Sequence, residues 1–191
     1  MLPSEKDDEL LWDIARNPIS GITNRYARLS WNSKTGHAVT RRLLARKLVS
    51  FEHVITPTAR IKVLRLTIDG RAHLHEQGAG LPAQPRGGVV HEYWRHVLKE
   101  RLIRKGYAVE EEAEVGSAQA VDLCAVKGGE IIYIEIETGK SAIESNVRKC
   151  LPLSGRVAFF FTSLALSETH PKLPVGFLRW TPLDLQGKEP F

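Results

Sequence analysis

The sequence predicts a two-domain protein of the α/β (α+β) class, because helical and strand patterns are mixed along it and its composition changes once. The change falls in EQGAGLPAQPRGG, residues 76–88, which is rich in glycine and proline and lacks apolar periodicity, as linkers do. Basic charge is confined to one side: residues 21–75 hold eleven Lys or Arg against two acidic residues, whereas fourteen of each sign cancel from residue 81 onward. The expected parts are a domain at 1–76, a linker at 77–88 and a domain at 89–191.

The first domain is predicted to contain three helices and a β-hairpin. Acidic residues followed by apolar residues at helical spacing indicate a helix in DDELLWDIAR, residues 7–16. A short helix is expected near residues 23–29, and Ser33 is expected to cap a third helix over residues 34–49. VSFEHVIT and RIKVLRLT, joined by residues 57–59, predict the hairpin. This element order is that of a winged helix-turn-helix, and LTIDGRAHL resembles a sequence common in that family.

The third helix and the hairpin tip carry much of the basic charge of this domain. A solvated charged face is one interpretation, but a local net charge of +9 over residues 21–75 favours contact with the phosphates of DNA. Double-stranded DNA is the expected partner. No spacing rule names a target sequence. The candidate DNA-binding residues are Lys34, His37, Arg41, Arg42, Arg46, Arg60 and Lys62.

The second domain is predicted to mix helices and strands. VVHEYWRHVLKERLIRKGY has the pattern of an amphipathic helix that ends at Gly106, and AVEEEAEV is a candidate strand. AVDLCAV and IIYIEIE are two further strands, joined by KGGE at residues 127–130 as a hairpin. SAIESNVRKCL is predicted to be helical, and RVAFFFT and GFLRW are predicted to be strands.

Three carboxylates are expected to converge on this hairpin. With residues 127–130 as the turn, Asp122 lies across from Glu135, and period-two alternation puts Glu137 on the same face. Two like charges about 5 Å apart repel by roughly 3 kcal/mol at an effective dielectric of about 20. A solvated strand face is the alternative interpretation. A bound Mg²⁺ or Mn²⁺ removes the repulsion and can activate water for phosphodiester hydrolysis, so we expect metal ligands at Asp122, Glu135 and Glu137.

The order of amphipathic helix, strand, Asp122, hairpin, Glu135-Ile136-Glu137 and helix resembles the PD-(D/E)xK nuclease superfamily. IEIETGKS and NVRKCL also resemble a set of prokaryotic domains found behind winged helices. The resemblance implies a restriction-endonuclease-like mixed sheet flanked by helices, with Asp122 and Glu135 as metal ligands. The sequence departs from the pattern at Glu137, which stands where the superfamily has a lysine, although some restriction enzymes of the superfamily are active with glutamate there.

Because Glu137 replaces the superfamily lysine, the resemblance implies that another residue supplies the positive charge. Lys140 is the expected catalytic lysine, and Lys149 or Arg148 on the next helix is the alternative. His91 and Glu92, on the first helix of the domain, are candidate accessory residues for ligation or proton transfer, although His91 also fits a packing role. Asn146 is expected at most to orient the strand end.

The sequence therefore predicts a metal-dependent DNA endonuclease targeted by a winged-helix domain. The alternative is a catalytically inactive nuclease-fold protein that binds DNA as a regulator or accessory subunit. A homodimer and a helicase or translocase partner both stay open. Cys124 and Cys150 have no disulfide or zinc spacing, the start is acidic, and no apolar run is long enough for a bilayer, so we expect a cytoplasmic protein without membrane association.

Overall fold

The computed structural model describes residues 4–81, 87–116, 119–140, 142–170 and 173–186. The chain divides into two compact units, Met1–Val89 and Val90–Phe191. Both units combine helices with β-structure, so the predicted mixed α+β class is confirmed. Within the described residues, none of the helices has the length and apolarity that crossing a bilayer would require.

The described residues of the first unit form four helices and a two-stranded antiparallel sheet. Its elements, in chain order, are α1 (Glu5–Arg16), α2 (Ile22–Arg28), α3 (Ser33–Ala45), β1 (Val49–Ile55), β2 (Arg60–Leu66) and α4 (Ile68–Glu76). The strands pair from Val49 with Leu66 to Ile55 with Arg60, which confirms the predicted hairpin. The core is formed by leucine, isoleucine and valine side chains, among them Leu10, Ile14, Val39, Leu43 and Leu64.

The third helix begins one residue earlier than predicted and ends sooner. Asn32, and not Ser33, is its N-cap, because the Asn32 side chain accepts a hydrogen bond from the Thr35 backbone N–H at 2.9 Å. The helix ends at Ala45, and Lys47 then adopts a positive φ of 58° before the chain enters β1. The backbone N–H of Leu48 donates to the carbonyl of Leu43, which closes the end of this helix.

Helix α4 was not predicted from the sequence, although LTIDGRAHL spans most of it. Thr67 caps this helix by accepting a hydrogen bond from the Gly70 N–H at 3.0 Å. A β-carbon on Gly70 would lie 2.0 Å from the Leu48 carbonyl oxygen, so only glycine lets the helix approach so closely. After α4, the buried Ala79 and the neighbouring Leu81 pack on the same core, within the stretch predicted as linker.

In the part of the second unit that the structure describes, the strands form a five-stranded mixed sheet. Its elements are α5 (Gly88–Arg104), β3 (Ala108–Glu114), β4 (Ala120–Lys127), β5 (Glu130–Glu137), α6 (Ile143–Cys150), β6 (Arg156–Phe161), α7 (Leu164–Thr169), β7 (Phe177–Trp180) and a 3₁₀-helix at Asp184–Gln186. The strand order is β3-β4-β5-β6-β7; the first three strands are antiparallel, and β6 and β7 run parallel to β5. The strand that carries the glutamates therefore lies in the middle of the sheet.

Alternate residues of β6 pack toward different helices. Phe160 contacts Trp94 of α5, with ring centroids 5.2 Å apart. Phe159 and Phe161 instead belong to a cluster with Ile143 and Cys150 of α6. This alternation shows that α5 and α6 cover opposite faces of the sheet. The central strand β5 is consequently enclosed by strands on both sides and by a helix on each face.

Candidate functional site

The turn between β4 and β5 sets the geometry of the candidate site. Lys127 pairs with Glu130 and the ladder continues to Leu123 with Ile134, which confirms the predicted register. Gly128 and Gly129, with φ of 56° and 87°, occupy a two-residue turn that needs positive φ at both positions. The next step of this register brings Asp122 to the level of Glu135.

Asp122 is held by groups from two different elements. Its Oδ2 accepts a hydrogen bond from the Ile136 backbone N–H at 2.7 Å. Its Oδ1 lies 3.0 Å from Nε2 of His91, in the first turn of α5. The Asp122 carboxylate is therefore fixed beside β5 by one backbone donor and one imidazole.

Glu135 and Glu137 are buried, with 3% and 0% of the residue exposed. The alternative of a solvated strand face is therefore wrong for these two residues. Oε1 of Glu137 accepts a hydrogen bond from Nδ2 of Asn146 at 2.8 Å, and Oε1 of Glu135 lies 2.6 Å from Nζ of Lys149. Asn146 and Lys149 are three residues apart, so they share one face of α6.

Lys149 is the lysine that the structure brings to these carboxylates. Besides its ion pair with Glu135, its Nζ donates to the Ala120 carbonyl oxygen at 2.7 Å. Lys140 is exposed and follows Gly139, whose φ is 77°. In the described structure Lys140 makes no ion pair with the cluster of Asp122, Glu135 and Glu137, which we call the carboxylate cluster.

The electrostatics of the carboxylate cluster favour an added positive charge. Burial is the largest cause that raises the pKa of Glu135, and the negative charge of Asp122 raises it further. Lys149 lowers this pKa in part, and the result is about 8. Burial lowers the pKa of His91, but its hydrogen bonds with Asp122 and Glu92 outweigh burial and raise that pKa to about 9. Both pKa shifts show that the crowded negative charge of the carboxylate cluster attracts positive charge, whether it comes from a proton, a neighbouring side chain or a bound cation.

Glu92 is engaged in a network that links α5 to β3. His91 Nδ1 lies 3.4 Å from Glu92 Oε1, and Arg95 contacts Glu92 Oε2 at 2.6 Å. Arg95 also pairs with Glu112 at 2.8 Å and with Glu111 at 3.1 Å. Glu111 and Glu112 of β3 are thus paired with the helix although both are exposed.

Glu112 stands out within this network because of its backbone. Its φ of 50° is unusual for a strand residue other than glycine. It lies between the pairs Glu111 with Leu123 and Ala113 with Val121, and therefore beside Asp122. Residues in such conformations are retained where surrounding contacts hold them, and Arg95 supplies one such contact.

The donor set of the carboxylate cluster fits a hard divalent cation, because it consists of carboxylate oxygens only. The side chains are not yet arranged around such an ion: among the described residues, no group of three or more His, Cys, Asp or Glu could hold a metal as it stands. Instead, His91, Lys149 and Asn146 each hold one carboxylate. Metal binding would require at least the contact between Lys149 and Glu135 to be exchanged.

The candidate DNA-binding residues of α3 fall into two groups. Lys34, His37 and Arg41 are exposed, and their spacing places them along one face of the helix. Arg42 and Arg46 point instead toward α1, where Asp7 lies 2.6 Å from Arg42 and 3.6 Å from Arg46. These two arginines are thus tied to a buried aspartate, a role that sequence reasoning missed because Asp7 is distant along the chain.

The hairpin residues predicted to contact DNA are exposed. Arg60 opens β2, directly after a turn that Thr56 and Ala59 close with a backbone hydrogen bond of 2.8 Å. Lys62 places its Nζ 3.5 Å from the centroid of the Phe51 ring, which orients its side chain along the sheet.

Ala120 has a role near the carboxylate cluster that the sequence did not assign, whereas Asn146 contacts the end of β5 as expected. Asn146 binds Glu137 and Ala120 offers its carbonyl to Lys149. The spacing of Asn146 and Lys149 on one helix face was the only available signal. Comparisons with known proteins add no assignment: no protein-family model matches the chain, and no curated protein matches it.

Proposed function

We propose that this protein is a metal-dependent DNA endonuclease. In this proposal the first unit is a winged helix-turn-helix that binds duplex DNA, and the second is a nuclease-like domain of the PD-(D/E)xK type that uses Mg²⁺ or Mn²⁺. The observation that carries it is the burial of Glu135 and Glu137 in the central strand beside Asp122. Burying carboxylates that repel one another lowers the stability of the fold. A bound cation would offset this loss, so such a buried pair indicates a site for a ligand.

The residues of the second unit have distinct tasks in this proposal. Asp122 and Glu135 would hold a divalent cation, which supplies activation of a water and neutralisation of phosphate charge. His91 and the Ile136 N–H keep the Asp122 carboxylate in place. Asn146 keeps Glu137 in place, where it contributes negative charge to the metal site.

Lys149 supplies the positive charge that Glu137 cannot provide at the motif position. Its ammonium already lies at the carboxylate cluster, 2.6 Å from Glu135, whereas Lys140 is exposed. An ammonium at this place can contact a phosphate oxygen and stabilise the charge that develops during hydrolysis. Lys140 keeps at most a supporting part, as a surface contact to the DNA backbone.

The first unit supplies DNA binding in this proposal. Lys34, His37 and Arg41 form the exposed face of α3, and Arg60 and Lys62 lie on the hairpin. Such a helix and hairpin are the two elements with which winged-helix proteins contact a duplex. The excess of basic residues in this part of the chain supports phosphate contact over a purely solvated surface.

The direct test is cleavage by the full chain with Mg²⁺ or Mn²⁺ on supercoiled, linear, branched and single-stranded DNA. The matched control is Asp122→Asn, which keeps an oxygen for the Ile136 N–H but removes the charge. We expect cleavage of at least one DNA form by the wild type and none by the variant. Equal cleavage by both proteins would refute the nuclease assignment.

A catalytically inactive DNA-binding protein is the second candidate. It is favoured by the finding that each member of the carboxylate cluster already has an intramolecular partner, with Glu137 fully buried under Asn146. Calorimetric titration separates the two candidates. Tight DNA binding with no binding of Mg²⁺ or Mn²⁺ would support the inactive protein, whereas metal binding that Glu135→Ala abolishes would support the nuclease.

A further inference from the structure

The Lys149 ammonium has two oxygen partners from different strands. Its Nζ lies 2.6 Å from Oε1 of Glu135 on β5 and donates to the Ala120 carbonyl on β4 at 2.7 Å. Only 13% of the Lys149 side chain is exposed. A flexible lysine side chain is therefore held in one place, in a largely buried pair, where charges interact more strongly than at the surface.

Among the described residues, Lys149 is the cation in direct contact with Glu135. The two neighbouring acids, Asp122 and Glu137, are each held by another group of the chain, His91 and Asn146 respectively. Their negative charges nevertheless act on Glu135 through the buried surroundings. In the metal-free protein, the Lys149 ammonium therefore compensates the negative charge of the buried Glu135.

A divalent cation and this ammonium compete for the same oxygen. Oε1 of Glu135 is in contact with Nζ of Lys149, and two cations at contact distance from one carboxylate oxygen repel each other. The Ala120 carbonyl gives the ammonium a second acceptor, so that Lys149 stays near the cluster after it leaves Glu135.

We infer that Lys149 is a built-in counter-ion, which neutralises Glu135 in the metal-free protein and is displaced from it when a divalent cation binds. The inference rests on the proposed function for the nature of the ligand. It has two opposite consequences: Lys149 stabilises the metal-free cluster, and it weakens metal binding because the cation must first replace it.

The test is calorimetric titration of Mn²⁺ into the full chain without DNA, comparing wild type, Lys149→Met and Arg148→Met. Methionine keeps an unbranched side chain and removes the charge. Arg148 is the matched control, because it is the adjacent residue of α6, is exposed, and among the described residues bonds the Glu144 carbonyl at 3.4 Å without contacting the carboxylate cluster. We expect Lys149→Met to bind Mn²⁺ at least about fivefold more tightly, the lower end of coupling between two ligands, and Arg148→Met to match wild type.

Two results would overturn the inference. One is equal or weaker Mn²⁺ binding by Lys149→Met; the other is an equal gain in Arg148→Met, which would show a general effect of net charge. If Lys149→Met does not fold without metal, Lys149→Gln replaces it, and thermal unfolding serves as the second measurement. Mn²⁺ should then raise the Tm of the variant more than that of wild type, and an equal rise counts against the inference.

The inference and the proposed function fail in different ways. Absence of Mn²⁺ binding in wild type and in every variant removes both of them. Equal Mn²⁺ affinity in wild type and Lys149→Met, together with DNA cleavage by wild type, removes the counter-ion role and leaves the nuclease assignment intact.

Discussion

The backbone N–H of Ile136 donates a hydrogen bond to the side chain of Asp122 at 2.7 Å, so an acid of β4 is fixed by the strand that carries the glutamates. Asp122→Asn keeps an acceptor for this bond and removes the negative charge. We expect DNA cleavage to fall by more than about 100-fold, beyond the effect typical of residues that only support a metal ligand. The Tm should change little, because the bond from Ile136 survives and the loss of the ion pair with His91 is offset by the relief of repulsion between Asp122 and Glu135. A loss of cleavage that follows a loss of folded protein would contradict this assignment.

The two candidate lysines can be separated by substitution. Lys149→Met should reduce cleavage by about 100-fold or more, because it removes the ammonium at Glu135. Lys140→Ala should reduce cleavage by no more than a few-fold, because Lys140 is exposed and makes no ion pair with the described members of the carboxylate cluster. Single-turnover cleavage with saturating Mn²⁺ measures both. The reverse order of effects would restore the assignment that the sequence favoured.

Neighbouring arginines of α3 should behave differently. Arg41→Ala is expected to weaken binding to duplex DNA and to reduce the slope of log affinity against log salt by about 0.9, as for one lost phosphate contact. Arg42→Ala should leave that slope unchanged and lower the free energy of unfolding by about 1 kcal/mol, because Arg42 is half exposed and pairs with the buried Asp7. Fluorescence anisotropy over a salt series, with thermal unfolding beside it, measures both effects. Equal salt slopes for the two variants would remove Arg41 from the DNA interface.

Stability of the first unit should depend on pH through Asp13. Burial raises the pKa of Asp13, but hydrogen bonds from Arg28 and Arg25 outweigh burial and place that pKa below its usual value. A depressed carboxyl pKa stabilises the fold above the unfolded pKa of about 4, and this contribution is lost as the pH falls through the folded pKa. Hydrogen-exchange protection of α1 and α2 should therefore fall in acid below about pH 4.

Asp13→Asn provides the control for this pH effect. The variant should lose about 3 kcal/mol at neutral pH, because it leaves the fully buried Arg25 without its carboxylate. It should also show a flatter acid dependence than wild type in the same exchange experiment. An unchanged acid dependence would assign the effect to other carboxylates.

Gly70 should be intolerant of even one added methyl group. Gly70→Ala would place a β-carbon 2.0 Å from the Leu48 carbonyl oxygen, so helix α4 must move and the variant should lose about 2–3 kcal/mol of stability. Gly80→Ala is the matched control, because nothing lies within 4 Å of its β-carbon. Chemical unfolding of the two variants compares them, and equal stability would contradict the close approach of α4.

The hairpin of the second unit was predictable because its determinants are local. Two glycines between apolar runs specify the turn, and period-two alternation then fixes which side chains share a face. Helix α4 was missed for the opposite reason: its sequence is polar and has few apolar residues, and its position depends on a contact with Leu48 that is distant in sequence. Local propensity is a weak guide where tertiary packing decides.

The same limit explains the lysine and arginine assignments. Lys140 follows the strand directly, so proximity along the chain favoured it, whereas Lys149 reaches Glu135 only because α6 packs its Asn146 face onto β5. Arg41 and Arg42 differ by about 100° around α3, and only the position of Asp7 shows which one faces the protein.

The two-glycine turn has a consequence for how this protein tolerates change. A β-carbon added at Gly128 or Gly129 would meet no atom within 4 Å, so Asn-Gly should replace the two glycines with little effect. One inserted residue there would shift β4 by one position against β5 and bring the apolar Leu123 to the level of Glu135 in place of Asp122. Distant relatives of a protein often differ in loop length. In this turn between β4 and β5, however, the length is more tightly constrained than the sequence.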